Sequence, residues 1–392
     1  MKIRTLSPKA IKDKAVIIRV DYNVPIKNGS IGETTRIEET IPTLKYLLKN
    51  GAKRIHILSH LGRPKGQKNP DLSLNIVTPV LEKLLGEKVE FRTTYTPGEG
   101  RIQLHENVRF FEGETKNDPE FVQKLLKIKG DIFVNDAFGV CHRAQASVVG
   151  LPIFLPSFAG FLLEKEMEHL SPFLSSEKMS GLTVIVGGAK IETKVNVLKH
   201  FSRTAENIII GGALANTFLA AQGFDVGQSF YEEEEIGTAR EVLDMAEKNK
   251  TGIHLPIDVI VAENIEDTQT LDMPIEDVMG ALKIFDTGRR SIASYAEIIQ
   301  HSKTIIWNGP MGCFEYDAFE NGTKEVLRMV SAHKKARTIL GGGDTLKALK
   351  KFNIDKSSFT HVSTGGGAML EFLEGKDLPG IEALMIRSQE PN

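Results

Sequence analysis

The stretch VIVGGAKIETK, Val184–Lys194, decides how the chain is read. An apolar run ends in two glycines, and two lysines follow four residues apart. The run has the character of a buried strand, and the glycine pair lets another group approach the backbone at its tip. A spacing of four places Lys190 and Lys194 on one face of a following helix, close to its start. Cations ordinarily favour the opposite end of a helix, where the dipole is negative. Two of them at a helix start are accounted for by a polyanion lying between the helix and the strand tip. A tight turn followed by surface lysines is the plainer reading, and the segment alone leaves both open. It is not a P-loop, because no hydroxyl directly follows either lysine. No Gly-x-Gly-x-x-Gly run follows the first strand, so the fingerprint of an NAD-dependent dehydrogenase is missing there.

Working outward, the same pattern recurs. LTVIVGG, NIIIGG, IDVIVAEN, TIIWNGP, TILGGGD and FTHVSTGGG are the strand candidates of the second half, and four of these six end in Gly-Gly or Gly-Gly-Gly. In an open parallel sheet, ligands bind beyond the carboxyl ends of the strands, where helix-start N–H groups also accept anions. The first half alternates in the same way. AVIIRV (Ala15–Val20) reads as a strand. RIEETIPTLKYLLKNG reads as a helix with Ile37, Ile41, Leu44 and Leu48 on one face and Gly51 as terminator. RIHILS follows as a strand, then SLNIVTPVLEKLLG as a helix capped by Ser73 and stopped by Gly86. IQLHENV, a helix from about Pro119, and DIFVND continue the series. The expected class is α/β, with two similar-sized, Rossmann-like three-layer domains of mostly parallel sheet. FLLEKEMEHLSPFLSSEKMSG (Phe161–Gly181) reads as a helix and a polar stretch, and supplies the boundary and a helix hinge.

A chain of 392 residues is long for one core. Its two cysteines, Cys141 and Cys313, give at most one bridge, and nothing suggests a disulfide scaffold or a zinc cluster. MKIRTLSPKAIKDKA lacks the apolar segment of a signal peptide, and no apolar run reaches the roughly 20 residues of a membrane span. The expectation is a cytoplasmic protein. Residues 1–168 hold 26 Lys/Arg against 20 Asp/Glu, while the remainder holds 23 against 31. A basic first half attracts a small anion, and an acidic second half argues against a nucleic-acid partner.

The first half places charged groups at strand ends. RVDYNVP carries Asp21 and Asn23, and Arg36 opens the next helix. SHLGRPKG carries His60 and Arg63, ENVRFFEGE carries Arg109, and NDAFGVCHRAQAS carries Arg143. Arginine forks suit carboxylate and phosphate oxygens. Taken singly, each residue also reads as a solvated or structural one. Together with GGAKIETK, WNGPMGCFE, GGGDT and STGGGAMLEFLEGKDLPGIEAL, these motifs occur in the order found in phosphoglycerate kinases, and the chain resembles that family from Arg19 to Leu384.

The resemblance implies reversible transfer of a phosphoryl group from 1,3-bisphosphoglycerate to ADP, giving 3-phosphoglycerate and ATP, with Mg²⁺, by a monomer that binds neither nucleic acid nor membrane. It implies an acid-binding domain at 1–168, a nucleotide-binding domain at 169–375 and a tail, 376–392, returning to the first. Asp21, Asn23, Arg36, His60, Arg63, Arg109 and Arg143 would form the acid site. Lys190 would steady the phosphoryl group, and Lys194 would hold nucleotide phosphates. Gly187, Gly188, Gly211 and Gly212 would line the nucleotide, with Asn308 and Pro310 near the adenosine and Glu315 on the ribose. Gly341, Gly342, Gly343 and Thr345 would lie beside the phosphates, and Asp344 would hold the metal. Gly365, Gly366 and Gly367 would present amides to the phosphoryl group. The departures are Ala213, Glu192, Thr193, Cys141 and Gln145, and none removes a charge from that set.

Overall fold

AVIIRV becomes a strand buried on both faces. In β1 (Ala15–Val20) five of the six residues are buried. Successive side chains alternate sides. Val16, Ile18 and Val20 join a cluster with Leu44, Leu47 and Leu81, whereas Ile17 joins Phe121, Leu125 and Phe133 on the other face. This two-sided burial is why the run is apolar apart from Arg19. A short hairpin follows, β2 (Ile26–Lys27) and β3 (Ser30–Ile31). Then come β4 (Arg54–Leu58), β5 (Val89–Arg92), β6 (Ile102–His105), β7 (Ile132–Asp136) and β8 (Ser157–Ala159). The sheet runs β5-β6-β4-β1-β7-β8, with every pair parallel. The structure is a computed structural model, and it describes residues 3–385. The chain divides into two compact units, one of Met1–Ser171 with Lys376–Asn392 and one of Pro172–Gly375.

Two helices of the first unit differ from the reading above. The segment from Thr35 is two helices, Thr35–Glu38 and Ile41–Lys49. Pro42, in the first turn of the second, has no N–H with which to continue the first. Leu47 rather than Leu48 is the buried residue near its end. Likewise Leu74–Val77 is a 3₁₀ turn, capped by the Ser73 hydroxyl, and the α-helix begins only at Thr78. Gly86, at φ 72°, ends it as expected.

The second unit contains β9 (Met179–Val186), β10 (Ala205–Ile210), β11 (Gly252–His254), β12 (Asp258–Ala262), β13 (Leu271–Pro274), β14 (Lys283–Thr287), β15 (Thr304–Asn308), β16 (Arg337–Gly341) and β17 (His361–Val362). Its main sheet runs β11-β10-β9-β15-β16-β17, all parallel. The chain builds outward from β9 on one side and then on the other, so the order reverses between β9 and β15. IDVIVAEN is not part of this sheet. It is β12, the centre of a separate antiparallel sheet, β13-β12-β14. Val259 and Val261 face a small core of their own with Leu219, Val226, Ile275 and Val278. A short apolar run fits either sheet, and the neighbouring strands decide which. Among the described residues no helix is long and apolar enough to cross a membrane.

Two histidines meet inside the first sheet. His56 on β4 and His105 on β6 are fully buried, with Nδ1 of the first 3.1 Å from Nε2 of the second. His105 Nδ1–H donates to the Thr94 carbonyl at 2.9 Å, which leaves its Nε2 to accept from His56. Burial, with His105, Arg54 and Arg92 nearby, pushes His56 down to about 3, and burial pushes His105 down to about 4. The unfolded chain takes up these protons near pH 6.5, well before the folded one does. Below pH 6.5 the unfolded state therefore binds more protons, and stability falls as pH falls through the window down to about 4. In urea unfolding, the stability lead of the parent protein over His105→Gln should shrink by up to about 1.4 kcal/mol per pH unit below pH 6.5. Parallel stability curves for the two proteins between pH 7.5 and 4.5 would show that the pair is not held neutral.

Candidate active site

In the first unit the expected acid-site residues gather where β1 and β4 end. Asp21, one residue beyond β1, is buried, and its Oδ2 accepts from Arg36 Nη1 at 3.0 Å. Arg36 Nη1 also donates to the Asn23 carbonyl at 3.1 Å. The second Asp21 oxygen accepts the Asn23 N–H at 3.1 Å and lies 3.8 Å from His60 Nδ1. Burial works against the Asp21 charge, but Arg36, the Asn23 N–H and Arg19 answer it, and the carboxyl lies below its usual range. Asn23 Oδ1 accepts the Gly62 N–H at 2.9 Å, and Arg109 Nη1 donates to the Gly62 carbonyl at 2.9 Å. Thus Asp21, Asn23, Arg36, His60 and Arg109 form one connected network around the turn after β4. Burial, together with Arg19, Arg109 and Arg36, keeps His60 well below its ordinary value despite Asp21, so the ring is neutral at pH 7. Burial lowers Arg109 to about 10, still cationic at neutral pH, and its Nε is buried without a hydrogen-bond partner. Arg63 and Arg143 stand at the surface instead, the latter donating from Nε to His142 Nε2 at 3.0 Å.

The sequence reading missed what supports this network. Arg19, inside β1, is fully buried. It donates from Nε to Ser147 Oγ at 2.7 Å, reaches the Val20 carbonyl through Nη1, and lies 3.3 Å from His60 Nδ1 through Nη2. Ser147 is bound in turn by buried Glu114, at 2.7 Å through its hydroxyl and 3.0 Å through its N–H. The signal was present in AVIIRV. An arginine within an otherwise apolar buried strand needs a carboxylate nearby.

In the second unit the glycine pairs sit at the carboxyl ends of adjacent parallel strands. Gly187 and Gly188 follow β9, Gly211 and Gly212 follow β10, and Asn308 ends β15 before Gly309 and Pro310. Gly341 ends β16, and Gly342, Gly343, Asp344 and Thr345 follow it. Gly365–Gly367 lie beyond β17, the last of them opening the helix Gly367–Leu373. The loops are laced together. Gly187 N–H donates to the Asn308 carbonyl at 2.9 Å, Gly188 N–H to the Pro310 carbonyl at 2.8 Å, and Gly309 N–H to Thr345 Oγ1 at 2.9 Å. A Cβ on Gly187 would lie 1.9 Å from the Pro310 oxygen, so no side chain fits there. Gly212, at φ 66°, also packs against Gly188, where a Cβ would meet the Gly188 carbonyl oxygen at 2.6 Å.

Lys190 and Lys194 do not share a helix face. The helix begins at Val195, and Lys194 is its N-cap residue. The chain between them turns at Ile191, whose carbonyl accepts the N–H groups of Lys194 at 2.7 Å and Val195 at 2.8 Å. Lys194 folds back, buried, and its Nζ donates to the Gly187 carbonyl, whereas Lys190 is exposed. Burial lowers the Lys194 ammonium to about 8 against the pull of Asp344. Its Nζ rests on a neutral carbonyl, so an incoming polyanion would supply the missing counter-charge. Beside it, buried Asn308 has an Nδ2 with no hydrogen-bond partner, a donor waiting for an acceptor. Asp344 and Glu315 are exposed, and Asp344 pairs with Lys347 at 2.7 Å.

Comparison with known proteins agrees with this geometry. A sequence model of the family described as "Phosphoglycerate kinase" matches residues 6–376. The phosphoglycerate kinase of Thermosipho africanus is 44% identical, with all of both chains covered. That of Finegoldia magna is 43% identical over 98% of this chain and 99% of its own. Among solved structures, phosphoglycerate kinase from Coxiella burnetii superposes with a TM-score of 0.87 at 40% identity, covering 98% of this chain and 99% of that one. The Pyrococcus horikoshii kinase gives 0.82 at 32% identity, covering 97% and 98%. The whole chain, both glycine-laced unit and basic cradle, belongs to the phosphoglycerate kinase family.

Proposed function

We propose that the cradle beyond β1 and β4 binds 3-phosphoglycerate or 1,3-bisphosphoglycerate, and that the strand-end loops of the second unit bind ADP or ATP. The chain uses them in the family's reaction, reversible transfer of the 1-phosphoryl group of 1,3-bisphosphoglycerate to ADP. The observation that carries the assignment is the turn Gly187–Lys194, where a buried ammonium rests on backbone that no side chain can cover. In this reading Asp21, Asn23, Arg36, His60, Arg63, Arg109 and Arg143 take the acid. Gly187, Gly188, Lys194, Gly211, Gly212, Asn308, Pro310, Glu315, Gly341–Gly343 and Thr345 take the nucleotide. The acid-binding part is 1–168, and the nucleotide-binding part is 169–375. The tail 376–392 packs on the first, a placement supported by the Gly380 N–H donating to the Cys141 carbonyl at 2.9 Å. Residues 386–392 of that tail lie outside the described ones.

An acyl phosphate already carries a good leaving group, so no strong base is needed. Positioning and neutralisation of charge do the work. Arg36 and Lys190 supply positive charge to the transferring group, and the amides of Gly365–Gly367 supply donors to its oxygens. Asp344 would hold a magnesium ion brought with the nucleotide, releasing Lys347. One exposed carboxylate completed by substrate phosphates is a usual donor set for this ion. Bound there, the ion supplies charge neutralisation at phosphate oxygens. The same reading makes the protein a cytoplasmic monomer with no nucleic-acid or membrane partner; light scattering showing a stable dimer would contradict the first point.

A coupled assay with 3-phosphoglycerate, ATP and Mg²⁺ tests the reading as a whole, and no turnover under those conditions overturns it. Arg36→Ala should cost about 3 kcal/mol or more of transition-state stabilisation while nucleotide affinity holds, as expected on losing one preorganised donor. Steady-state kinetics with both substrates checks this, and a near-normal maximal rate would remove Arg36 from the chemistry. Glu315→Gln should weaken ADP binding about tenfold and leave phosphoglycerate binding intact, because a charged acceptor for the ribose becomes a neutral one. Calorimetric titration reads both affinities, and a loss confined to phosphoglycerate would place Glu315 elsewhere.

A further inference from the structure

We propose that Glu232 is a positioning residue for Lys190, acting through the backbone of Ile191. The proposal rests on the reading of Lys190 as the residue that steadies the phosphoryl group. Glu232 opens the run EEEE, Glu232–Glu235, yet it alone is withdrawn from solvent, at 8% exposure, while Glu233 and Glu234 are exposed. A buried carboxylate is costly unless it accepts hydrogen bonds. Its side chain makes no local cap on the 3₁₀ turn that follows. Instead Oε2 accepts the Ile191 N–H at 2.5 Å. That residue is fully buried and is the pivot of the turn, since its carbonyl starts the helix at Val195.

Glu232 is itself anchored. Its N–H donates to Thr217 Oγ1 at 3.1 Å, and Asn216 Nδ2 donates to the Phe230 carbonyl at 3.0 Å, so the strand-like segment is strapped to the helix Ala213–Ala221. The first turn of that helix also reaches the other side of the loop, through the Leu214 N–H to the Gly188 carbonyl at 2.9 Å. Lys190, exposed and with a flexible side chain, thus stands on a backbone held at Gly188 before it and at Ile191 after it. Its own side chain contributes nothing to that placement. Removing the Glu232 oxygen frees the pivot, and the exposed Lys190 ammonium loses its aim, while buried Lys194 stays anchored by its Nζ on the Gly187 carbonyl and the glycine-lined loops keep their shape.

The test compares Glu232→Ala, Glu232→Gln, Lys190→Ala and the double variant Glu232→Ala/Lys190→Ala. It reads kcat, KM for ATP, calorimetric ADP affinity and thermal midpoint. Glu232→Ala should lower kcat about tenfold or more, since small misplacements of a catalytic group are costly. ADP affinity should stay within about threefold, which is under 1 kcal/mol of binding. Glu232→Gln, which keeps an acceptor oxygen, should recover most of the rate. The double variant should be no slower than Lys190→Ala, because both substitutions remove one function. Should Glu232→Ala not fold, Glu232→Asp serves, because it keeps the charge but withdraws the oxygen by one methylene, and it should show the same loss of kcat. Unchanged kcat in the folded variants, or losses that multiply in the double variant, overturn the proposal in favour of a purely structural glutamate. Wild-type turnover by Lys190→Ala would overturn the Lys190 assignment itself, a result distinct from a silent Glu232.

Discussion

The parallel pairing of β9 with β15, which sets Val186 opposite Asn308, is the constraint on which the second unit depends. Parallel strands end at the same edge of a sheet, and the order of this sheet reverses between these two. In open α/β sheets such a switch point is where a crevice lies beyond the carboxyl ends of the strands. There the Gly187 N–H donates to the Asn308 carbonyl and the Gly188 N–H to the Pro310 carbonyl, and the backbones approach so closely that neither Gly187 nor Gly309 has room for a Cβ. Lys194 is buried because the turn at Ile191 sends it back under that crevice. Its lowered pKa and the unpaired Asn308 amide follow from the same enclosure.

The first unit obeys the same geometry with different chemistry. Its strand-end residues are charged, and burial makes each charge depend on its neighbours. Asp21 remains ionised because Arg36 and the Asn23 N–H answer its desolvation. His60 is driven neutral by burial and by the three arginines around it. Arg19 is charged within a strand core because Ser147 and Glu114 stand behind it. A net positive field is thereby built from few exposed groups, and Arg63 and Arg143 add theirs at the surface.

Much of this was legible in the chain. A strand buried on both faces is largely apolar, so AVIIRV and LTVIVGG announce themselves. Glycine pairs after strands have a steric cause, and the order of the motifs carried the family. What escaped depended on neighbours distant in sequence. IDVIVAEN has the composition of a parallel strand and became antiparallel because β13 and β14 flank it. The helix from Thr35 broke off before Pro42, and the one after Ser73 began late, since propensity marks a helix more firmly than its first turn. Lys190 and Lys194 fitted a helical spacing, but the helix starts at Val195 because Glu232 and the Ile191 carbonyl turn the chain first.

The sequence by itself determined the class of fold, the family and the kinds of group available at the strand ends, because periodicity, glycine placement and residue chemistry are local properties. Only the tertiary structure decided which of those groups are paired, which are neutral and which stand free. Burial and charge at Asp21, His60, Arg19, Lys194 and Glu232 are set by partners separated along the chain, from 7 residues at Lys194 to 128 at Arg19, that the fold brings within reach of hydrogen bonding and desolvation.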